Sequence, residues 1–545
     1  MSESRSLPEL FFSQADRLGP RGGVRYKRRG MWTQATWAEW GERVRAAALG
    51  LISLGVNKGD RVAILSENRY EWLIADLAIL AAGAASVPLH APLTATQIQY
   101  MLGDCEACAV IASNATQTAK IDAVTAALPR PRWQITMEPM GASVIAFPRR
   151  DVHAKTLAPT KLSLDRLEQL GRSAPGTIRH DFTERFAAIG PSDLASIIYT
   201  SGTTGQPKGV MLTHGNFLSN AEAMTVALAP IEPGSIFFNW LPLSHVYART
   251  VDYYLAIAAG ATMALSESAD TVVADVTDIR PMHFSSVPRF YEKVLGSLMP
   301  LPPETRQAKL HAIFGPRLRF LGCGGAALPP AIAEAYRDAG FEVIVGYGLT
   351  ESSPVIATNR MGANKLGSVG QVIPGVEVKI AADGEILTKG PHVMAGYWNQ
   401  TDATAAVIHN GWLATGDLGR LDDDGFLWIT GRKKEIIVLS SGKNVSPVQI
   451  EGLLLASPLI EQVAVFGDGQ PCLTAVVVPR GSPTLDALQA EIDARLDVVA
   501  PWEKVRKIVV SPRPFTVGSG ELTVSLKLRR QIIFENHRSE IDRPR

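Results

Sequence analysis

The sequence predicts an α/β protein: a large N-terminal domain of α/β sheets ending in a β-rich subdomain, followed by a small α+β C-terminal domain. Three observations carry that expectation. Short apolar runs alternate with helical patterns over most of residues 36–353, as expected of strands laid largely parallel with helices between them. After Gly370 the texture changes to short strands and turns, VEVKI, EILTKG and GFLWI. A chain of 545 residues is also too long for one ordinary core, so two or three domains with a large buried interior are expected.

Taken in order, apolar residues recur at helical spacing over 36–54, and Gly55 closes the pattern as a C-terminal cap. RVAIL, after Gly59 and Asp60, reads as a strand, 68–82 as a helix, SVPL as a strand, 96–102 as a helix and CAVIAS as a strand. Between 116 and 182 the pattern weakens, with Pro129, Pro131, Pro148, Pro159 and Pro175 interrupting it, and a connecting region is expected. An apolar run from Ala195 to Ile198 then leads into a Gly/Ser/Thr loop, after which VML reads as a strand. Thr213 or Asn216 could cap a helix running through Ala229. A second α/β series follows: SIFFNWLP, a helical VDYYLAIAAG, ATMAL, HFSSVPRFYEKVL, LRFLGCGG and FEVIVGYGLTESS. GRKKEIIV, from Gly431, marks the last boundary. The expected domains are 1–431, with the β-rich subdomain at about 370–431, and 432–545.

Composition narrows the function. With 46% hydrophobic and 20% charged residues and a net charge of +1, the chain is typical of a globular protein and lacks a surface suited to coating a polyanion, so no nucleic-acid partner is expected. Cys105, Cys108, Cys323 and Cys472 are too scattered for a disulfide framework and fit a reducing cytoplasm. The C-x-x-C of Cys105 and Cys108 lacks the second Cys or His pair that a metal site needs. MSESRSLPELFF has no secretory pattern. The stretch WLIADLAILAAGAASVPL, from Trp72, carries Asp76 early and stops near Pro88, so it is expected to be a buried helix running into a strand and not a membrane span.

The stretch with the most chemistry is YTSGTTGQPKG, from Tyr199. Gly202, Gly205 and Gly209 allow close backbone approach to a ligand, Thr200, Ser201, Thr203 and Thr204 offer hydroxyls, and Lys208 offers a cation. Converging N–H groups beside an ammonium suit a polyphosphate. The common pattern G-x-x-x-x-G-K-S/T is absent, because Pro207 stands where the second glycine should be. A flexible hairpin connection is the alternative reading.

GCGGAAL, from Gly322, formally matches a dinucleotide fingerprint with Glu342 at the right distance. That acid opens its strand instead of ending it, so an oxidoreductase is not expected, and close approach of the backbone to a base or acyl group explains the glycines. YGLTESS places Gly348, Thr350 and Glu351 just beyond a strand's carboxyl end, where ligands bind in open α/β sheets. Tyr347 could stack on a base and Glu351 could help hold Mg²⁺. Asp417, in TGDLGRLDDDG, is a carboxylate able to accept from a ribose diol. GRKKEI and SSGKNVSP place Arg432, Lys433, Lys434 and Lys443 at the boundary, and GELTVSLKLRR places Lys527 before a final helix. Each alone also reads as a solvated loop or wet helix face.

Together and in this order, the motifs resemble the adenylate-forming superfamily over nearly the whole chain. Within it, NWLPLSHVYAR, SVPRFYEKV, YGLTESSPVI, GRKKEIIVLSSGKNVSP and LTVSLKLRR are most similar to long-chain fatty acyl-CoA synthetases. Two departures stand out: Leu526 precedes the tail lysine where many relatives have Gly, and Ala248 stands where long-chain synthetases often have Glu.

The resemblance implies that a fatty acid is activated by ATP as acyl-AMP and then passed to CoA. A carrier-protein phosphopantetheine thiol is the alternative acceptor, and a ligase stopping at acyl-AMP a further one. It implies that Thr200 to Lys208 cradle the β and γ phosphates, with Glu351 placing Mg²⁺ and Thr350 on the α-phosphate. Gly324, Gly325 and Ala326 would line the adenine and acyl sites with Tyr347 and Gly348, Asp417 and Arg432 would hold the ribose, and His245 would lie near the acyl carboxylate. Lys527 would bridge carboxylate and α-phosphate, carried by a mobile domain hinged at Arg432, Lys433 and Lys434. A cytoplasmic protein is expected, with peripheral membrane contact conceivable for lipid-partitioned substrates.

Overall fold

In a computed structural model, the structure describes residues 4–128, 133–139, 160–200, 206–228, 230–232, 234–523 and 528–543. Two large sheets share one core. The nine-stranded sheet is ordered Gln371–Val372, Val355–Thr358, Val343–Gly348, Phe320–Cys323, His283–Ser286, Ile236–Asn239, Thr262–Leu265, Gly22–Arg28 and Met31–Thr36. The eight-stranded sheet is ordered Gly396–Tyr397, Lys208–Thr213, Leu194–Thr200, Ala85–His90, Arg61–Ser66, Ala109–Ala112, Trp133–Thr136 and Thr160–Ser163. Both are parallel through their centres, so helices must cover their faces and the central strands are apolar on both sides.

The helix Tyr70–Ala81 lies in the core that joins the sheets, with Leu73, Ile74, Leu77 and Leu80 in the same apolar cluster as Val24 and Met263 of one sheet and Val62 and Ile64 of the other. This is the apolar stretch from Trp72, and it runs into the strand Ala85–His90 as expected. Among the described residues no helix is long and apolar enough to cross a membrane.

Local signals place helix ends well. Gly55, with φ of +83°, follows the helix Trp37–Ser53, and its N–H donates to the Ile52 carbonyl. Thr213, not Asn216, is the N-cap of the helix His214–Ala227; Asn216 completes the capping box from the third position.

The weak region departs from expectation. It holds the helix Ala115–Thr125, the edge strands Trp133–Thr136 and Thr160–Ser163, and the helices Leu164–Arg172 and Gly176–Ala187. Four-residue strands are too short to display a period, and these exist because each pairs in register with its neighbour, Ala109 with Trp133 and Trp133 with Thr160. Pro129, Pro131, Pro148 and Pro159 lie outside the described residues, and Pro175 caps the last helix. The helical VDYYLAIAAG stretch also differs in kind: Ala248–Tyr254 forms a π-helical turn before the α-helix Leu255–Ala259, which Gly260 ends in the left-handed region.

The β-rich part is a sheet of Glu377–Ile380, Glu385–Lys389, Trp412–Leu421, Ile408–His409 and Leu427–Arg432. Two of its neighbours leave it: Gln371–Val372 extends the nine-stranded sheet and Gly396–Tyr397 the eight-stranded one. In the C-terminal α+β domain the sheet Ile460–Phe466, Leu473–Pro479 and Val505–Val510 is covered on one face by Pro447–Leu455 and Leu485–Arg495 and on the other by Arg530–Asn536.

Cys105, Cys108 and Cys323 are buried, and burial pushes the Cys105 thiol up to about 12, which disfavours its thiolate. No cluster of His, Cys, Asp or Glu of metal-binding type occurs among the described residues.

His214, His283 and His392 are buried and His90 is partly buried in the cleft, and desolvation pushes each down to about 4. Between that value and the ordinary 6.5 the unfolded chain binds protons that the native chain does not, so stability falls as pH falls through this window. Buried Asp252, pushed up to about 7 by desolvation, and Glu292, also raised by burial, act in the opposite sense but are two groups against four. The thermal midpoint is therefore expected to drop as pH is lowered from 6.5 to 4.5. A flat midpoint would mean that these histidines are protonated in the folded protein.

Candidate active site

The site is built at the carboxyl ends of the parallel strands, where helix and loop connections leave a crevice. Leu194–Thr200 and Lys208–Thr213 form an antiparallel hairpin whose last pair is Thr200 and Lys208. Thr200 and Lys208 line the cleft; Ser201, Gly202, Thr203, Thr204 and Gly205 lie outside the described residues.

Strand Gly396–Tyr397 pairs with the hairpin at Met211 and Val210, and the Trp398 N–H donates to the Gly209 carbonyl at 2.7 Å. This brings Tyr397 to two predicted residues at once. Its ring lies 4.8 Å from the Lys208 ammonium, and its hydroxyl donates to Glu351 Oε1 at 2.8 Å. The phenol is held protonated by burial and by the adjacent Glu351 charge. Tyr397 carried no signal in the sequence, since AGYW has no periodicity and no motif of its own.

Thr350 and Glu351 occupy a 3₁₀ turn, Thr350–Ser352, directly after the strand Val343–Gly348. Gly348 has a steric reason: a Cβ there would lie 1.7 Å from the Pro354 carbonyl oxygen. Glu351 presents hard oxygen donors in the cleft without a surrounding carboxylate cage, which fits Mg²⁺ held partly by substrate phosphates.

Behind the cleft wall, which Tyr347 and Arg432 line, Asp417 is buried and bonded at both oxygens. Tyr347 Oη donates to Oδ2 at 2.7 Å and Arg432 Nε to Oδ1 at 2.6 Å. A carboxylate has about four acceptor positions, so a diol can still be accepted. Burial, followed by the Asp417 charge, keeps the Tyr347 phenol protonated.

Gly324 and Gly325 line the cleft, and a Cβ on Gly324 would approach the Tyr247 ring to 3.1 Å. Ala326, expected beside them, is exposed and follows Gly325, whose φ is +82°. Glu342 precedes its strand and lies near Asn364, at the end opposite the ligand crevice, in keeping with rejection of the dinucleotide reading. His245 lines the cleft and accepts from the Tyr247 N–H at 3.2 Å through Nδ1.

The boundary segment follows directly. Arg432 ends the strand Leu427–Arg432, and the Lys433 N–H donates to the Gly416 carbonyl. The Lys433 ammonium reaches Asp383 at 2.6 Å and Glu385 at 2.9 Å, and Lys434 lines the cleft. Lys527 lies outside the described residues, but its flanks are placed: Leu522 and Leu528 are antiparallel bridge partners, and Thr523, Leu528 and Arg529 line the cleft.

The cleft has a volume of about 2350 Å³ and takes walls from both the N-terminal sheets and the C-terminal domain. It continues to Met224, Leu228, Val251, Phe320, Ile344 and Val355, which form an apolar cluster inside the N-terminal domain.

The crevice between a double-sheet domain and a small α+β domain, with a lysine and a glutamate on one tyrosine and a buried aspartate behind its wall, is that of an adenylate-forming enzyme. The family described as AMP-binding enzyme matches residues 12–398, and the AMP-binding enzyme C-terminal domain matches 434–508. The chain belongs to this family, within the AMP-forming acid–thiol ligases. It is 35% identical to the long-chain-fatty-acid–CoA ligase FadD15 of Mycobacterium bovis, over 94% of this chain and 92% of that protein. Among solved structures, the anthranilate CoA ligase AuaEII with anthranoyl-AMP superposes with a TM-score of 0.84 at 21% identity, covering 99% of both chains. The o-succinylbenzoate CoA synthetase of Bacillus subtilis, in complex with ATP and magnesium, gives 0.75 at 25% identity over 96% of this chain and 98% of that one.

Proposed function

We propose that the protein is an ATP-dependent ligase that converts a long-chain fatty acid to acyl-AMP with release of pyrophosphate and then passes the acyl group to CoA. The observation that carries this reading is the continuity of the cleft: a polyphosphate-type end at Thr200, Lys208 and Glu351 leads into a branch lined by apolar side chains. The naming of FadD15 as a long-chain ligase supports the choice of acid.

A carboxylate is a poor electrophile, so its oxygen must first become a good leaving group. Attack on the α-phosphorus brings two anions together, and the protein's task is alignment and charge neutralisation. Under this reading the hairpin loop from Thr200 to Lys208 holds the β and γ phosphates, Thr350 the α-phosphate, and Tyr347 with Gly324 and Gly325 the adenine. Asp417, steadied by Arg432, takes the ribose diol, and His245 stands near the acyl carboxylate. Bound Mg²⁺ would neutralise polyphosphate charge, with Glu351 among its ligands. Lys527 bridges the reacting carboxylate and α-phosphate from the domain of 432–545, which turns about Arg432, Lys433 and Lys434 relative to 1–431 between the two steps.

The test is incubation with ATP, Mg²⁺ and fatty acids of graded length, with and without CoA, following pyrophosphate, AMP and acyl products by mass spectrometry. Acyl-CoA formed with AMP, best with long acids, is expected. Acyl-AMP that accumulates regardless of CoA would transfer the acceptor role to a carrier-protein thiol, and no pyrophosphate with any acid would overturn the reading. Within the same assay, Tyr397→Phe is expected to raise the Mg²⁺ concentration for half-maximal pyrophosphate release about tenfold, because a hydrogen bond to a charged group contributes about 1.5 kcal/mol. An unchanged Mg²⁺ dependence would show that Glu351 keeps its place without the phenol.

A further inference from the structure

The strand Ala85–His90 ends in a histidine that the motif reading passed over. His90 lines the cleft at the carboxyl end of a central parallel strand, and its Nδ1 lies 2.6 Å from Ser244 Oγ. Ser244 is itself only 4% exposed and lines the same cleft, next to His245, whose ring is inclined by 26° to that of His90 with centroids 6.5 Å apart. The 240–247 loop that presents Ser244 is pinned from the other sheet: Asn68 accepts from the Leu243 N–H at 2.9 Å and donates to Asn239 Oδ1 at 2.8 Å. Asn239 in turn donates to buried Asp252 at 2.9 Å.

We propose that His90 is the general base for the acceptor thiol in the second half-reaction, with Ser244 as the positioning residue that fixes its ring. This rests on the ligase reading above. With Ser244 accepting from Nδ1–H, the lone pair of Nε2 is left for a ligand in the cleft. Burial keeps the ring neutral in the empty cleft, with its pKa down to about 4, so it takes a thiol proton only when an anion beside it stabilises the imidazolium. Among the described residues, His245 is the titratable ring beside it, and the Lys120 ammonium donates to the carbonyl of the adjacent Ala91 at 2.6 Å.

The step balances without another reactant. The S–H bond breaks as its proton passes to Nε2, the sulfur forms a bond to the acyl carbon, and the acyl C–O bond to phosphate breaks with its electron pair leaving on AMP. The departing AMP phosphate, an anion in the same cleft, stabilises the imidazolium and can take its proton. A thiol in solution is mostly protonated at pH 7, with an ordinary pKa of about 8.5, so a base has work to do there that it loses at higher pH.

The experiment measures two rates on the full-length protein: pyrophosphate release with palmitate and ATP, and palmitoyl-CoA formation from supplied palmitoyl-AMP and CoA between pH 6.5 and 9.5. His90→Ala is expected to slow the thioester step about 100-fold at pH 7 and adenylation at least tenfold less, with the thioester deficit closing toward pH 9.5. Ser244→Ala should show the same trend at about tenfold. His90→Gln retains a polar side chain of similar size toward Ser244 without an imidazole lone pair, and it should behave as His90→Ala does if the alanine variant folds poorly. Equal losses in both steps, or a deficit independent of pH, would overturn the role of His90 alone. Wild-type protein that forms acyl-AMP but no thioester from palmitoyl-AMP and CoA would overturn the CoA reading and this role together.

Discussion

Replacing Lys527 with alanine is expected to slow acyl-AMP formation by about 10²- to 10³-fold, while transfer from supplied acyl-AMP to CoA stays within about tenfold of the unmodified protein. The physical reason is that the two steps need opposite things at one point. Adenylation forces a carboxylate against a triphosphate, and a preorganised cation between them lowers the barrier; thioester formation starts from a mixed anhydride whose charge is already reduced, and it needs room for a thiol.

The flanks of Lys527 are suited to delivering such a cation to the cleft. The bridge between Leu522 and Leu528 closes the segment's ends, and Arg530, just beyond, is gripped by both Glu451 oxygens and reaches Glu435 at 3.3 Å. Arg530 thus ties the lysine segment to both the C-terminal domain and the boundary turn. Contact with the larger domain includes Arg289 donating to Glu461 at 2.8 Å, between half-exposed side chains, which is the kind of contact a domain rotation can break cheaply. Rapid-quench measurement of each half-reaction decides the matter. Equal loss in both would remove Lys527 from the bridging role.

The second large effect concerns stability. Asp76→Ala is expected to destabilise the N-terminal domain by about 3–5 kcal/mol, because it strands a buried guanidinium. Asp76 and Arg249 are both fully buried and paired. Tyr254 donates to Asp76 Oδ2 at 2.8 Å, Arg249 Nη1 to Ser196 Oγ at 2.7 Å, and the guanidinium lies over the Trp72, Phe217 and Tyr254 rings at about 5.5 Å. This cluster joins the helix Tyr70–Ala81, the π-turn and the strand Leu194–Thr200 that leads to the hairpin loop. The urea midpoint should fall sharply, and the double variant Asp76→Leu with Arg249→Met should recover much of the loss, since an apolar pair of similar volume needs no charge compensation. A single variant as stable as the parent would mean that water reaches the guanidinium.

The same pair shows where reading the sequence succeeds and stops. Asp76 was visible as a charge that disqualifies a membrane helix, but its partner lies 173 positions away and nothing local names it. Likewise Lys208, Glu351, Asp417 and Arg432 stand out because each sits in a short motif whose residue types suit one chemistry, and the structure places all four at one cleft or in its supporting shell. Tyr397, which organises Lys208 and Glu351, and Ser244, which meets His90, carry no such local signature. Their roles arise from a strand that leaves the β-rich region to join another sheet and from a loop pinned by Asn68.

By itself the sequence determined the α/β class, the helix end at Gly55, the order of the motifs and the residue types offered to a nucleotide. Those depend on backbone preference, periodicity and side-chain chemistry within a few positions. Only the tertiary structure decided the edge strands Trp133–Thr136 and Thr160–Ser163, the π-turn at Ala248–Tyr254 and the pairings of Tyr397, Asp417, Asp76 and His90. Each of these is fixed by partners distant in the chain: a four-residue strand gains its hydrogen bonds from a neighbour, and a buried polar group is tolerable only when something from another element meets it.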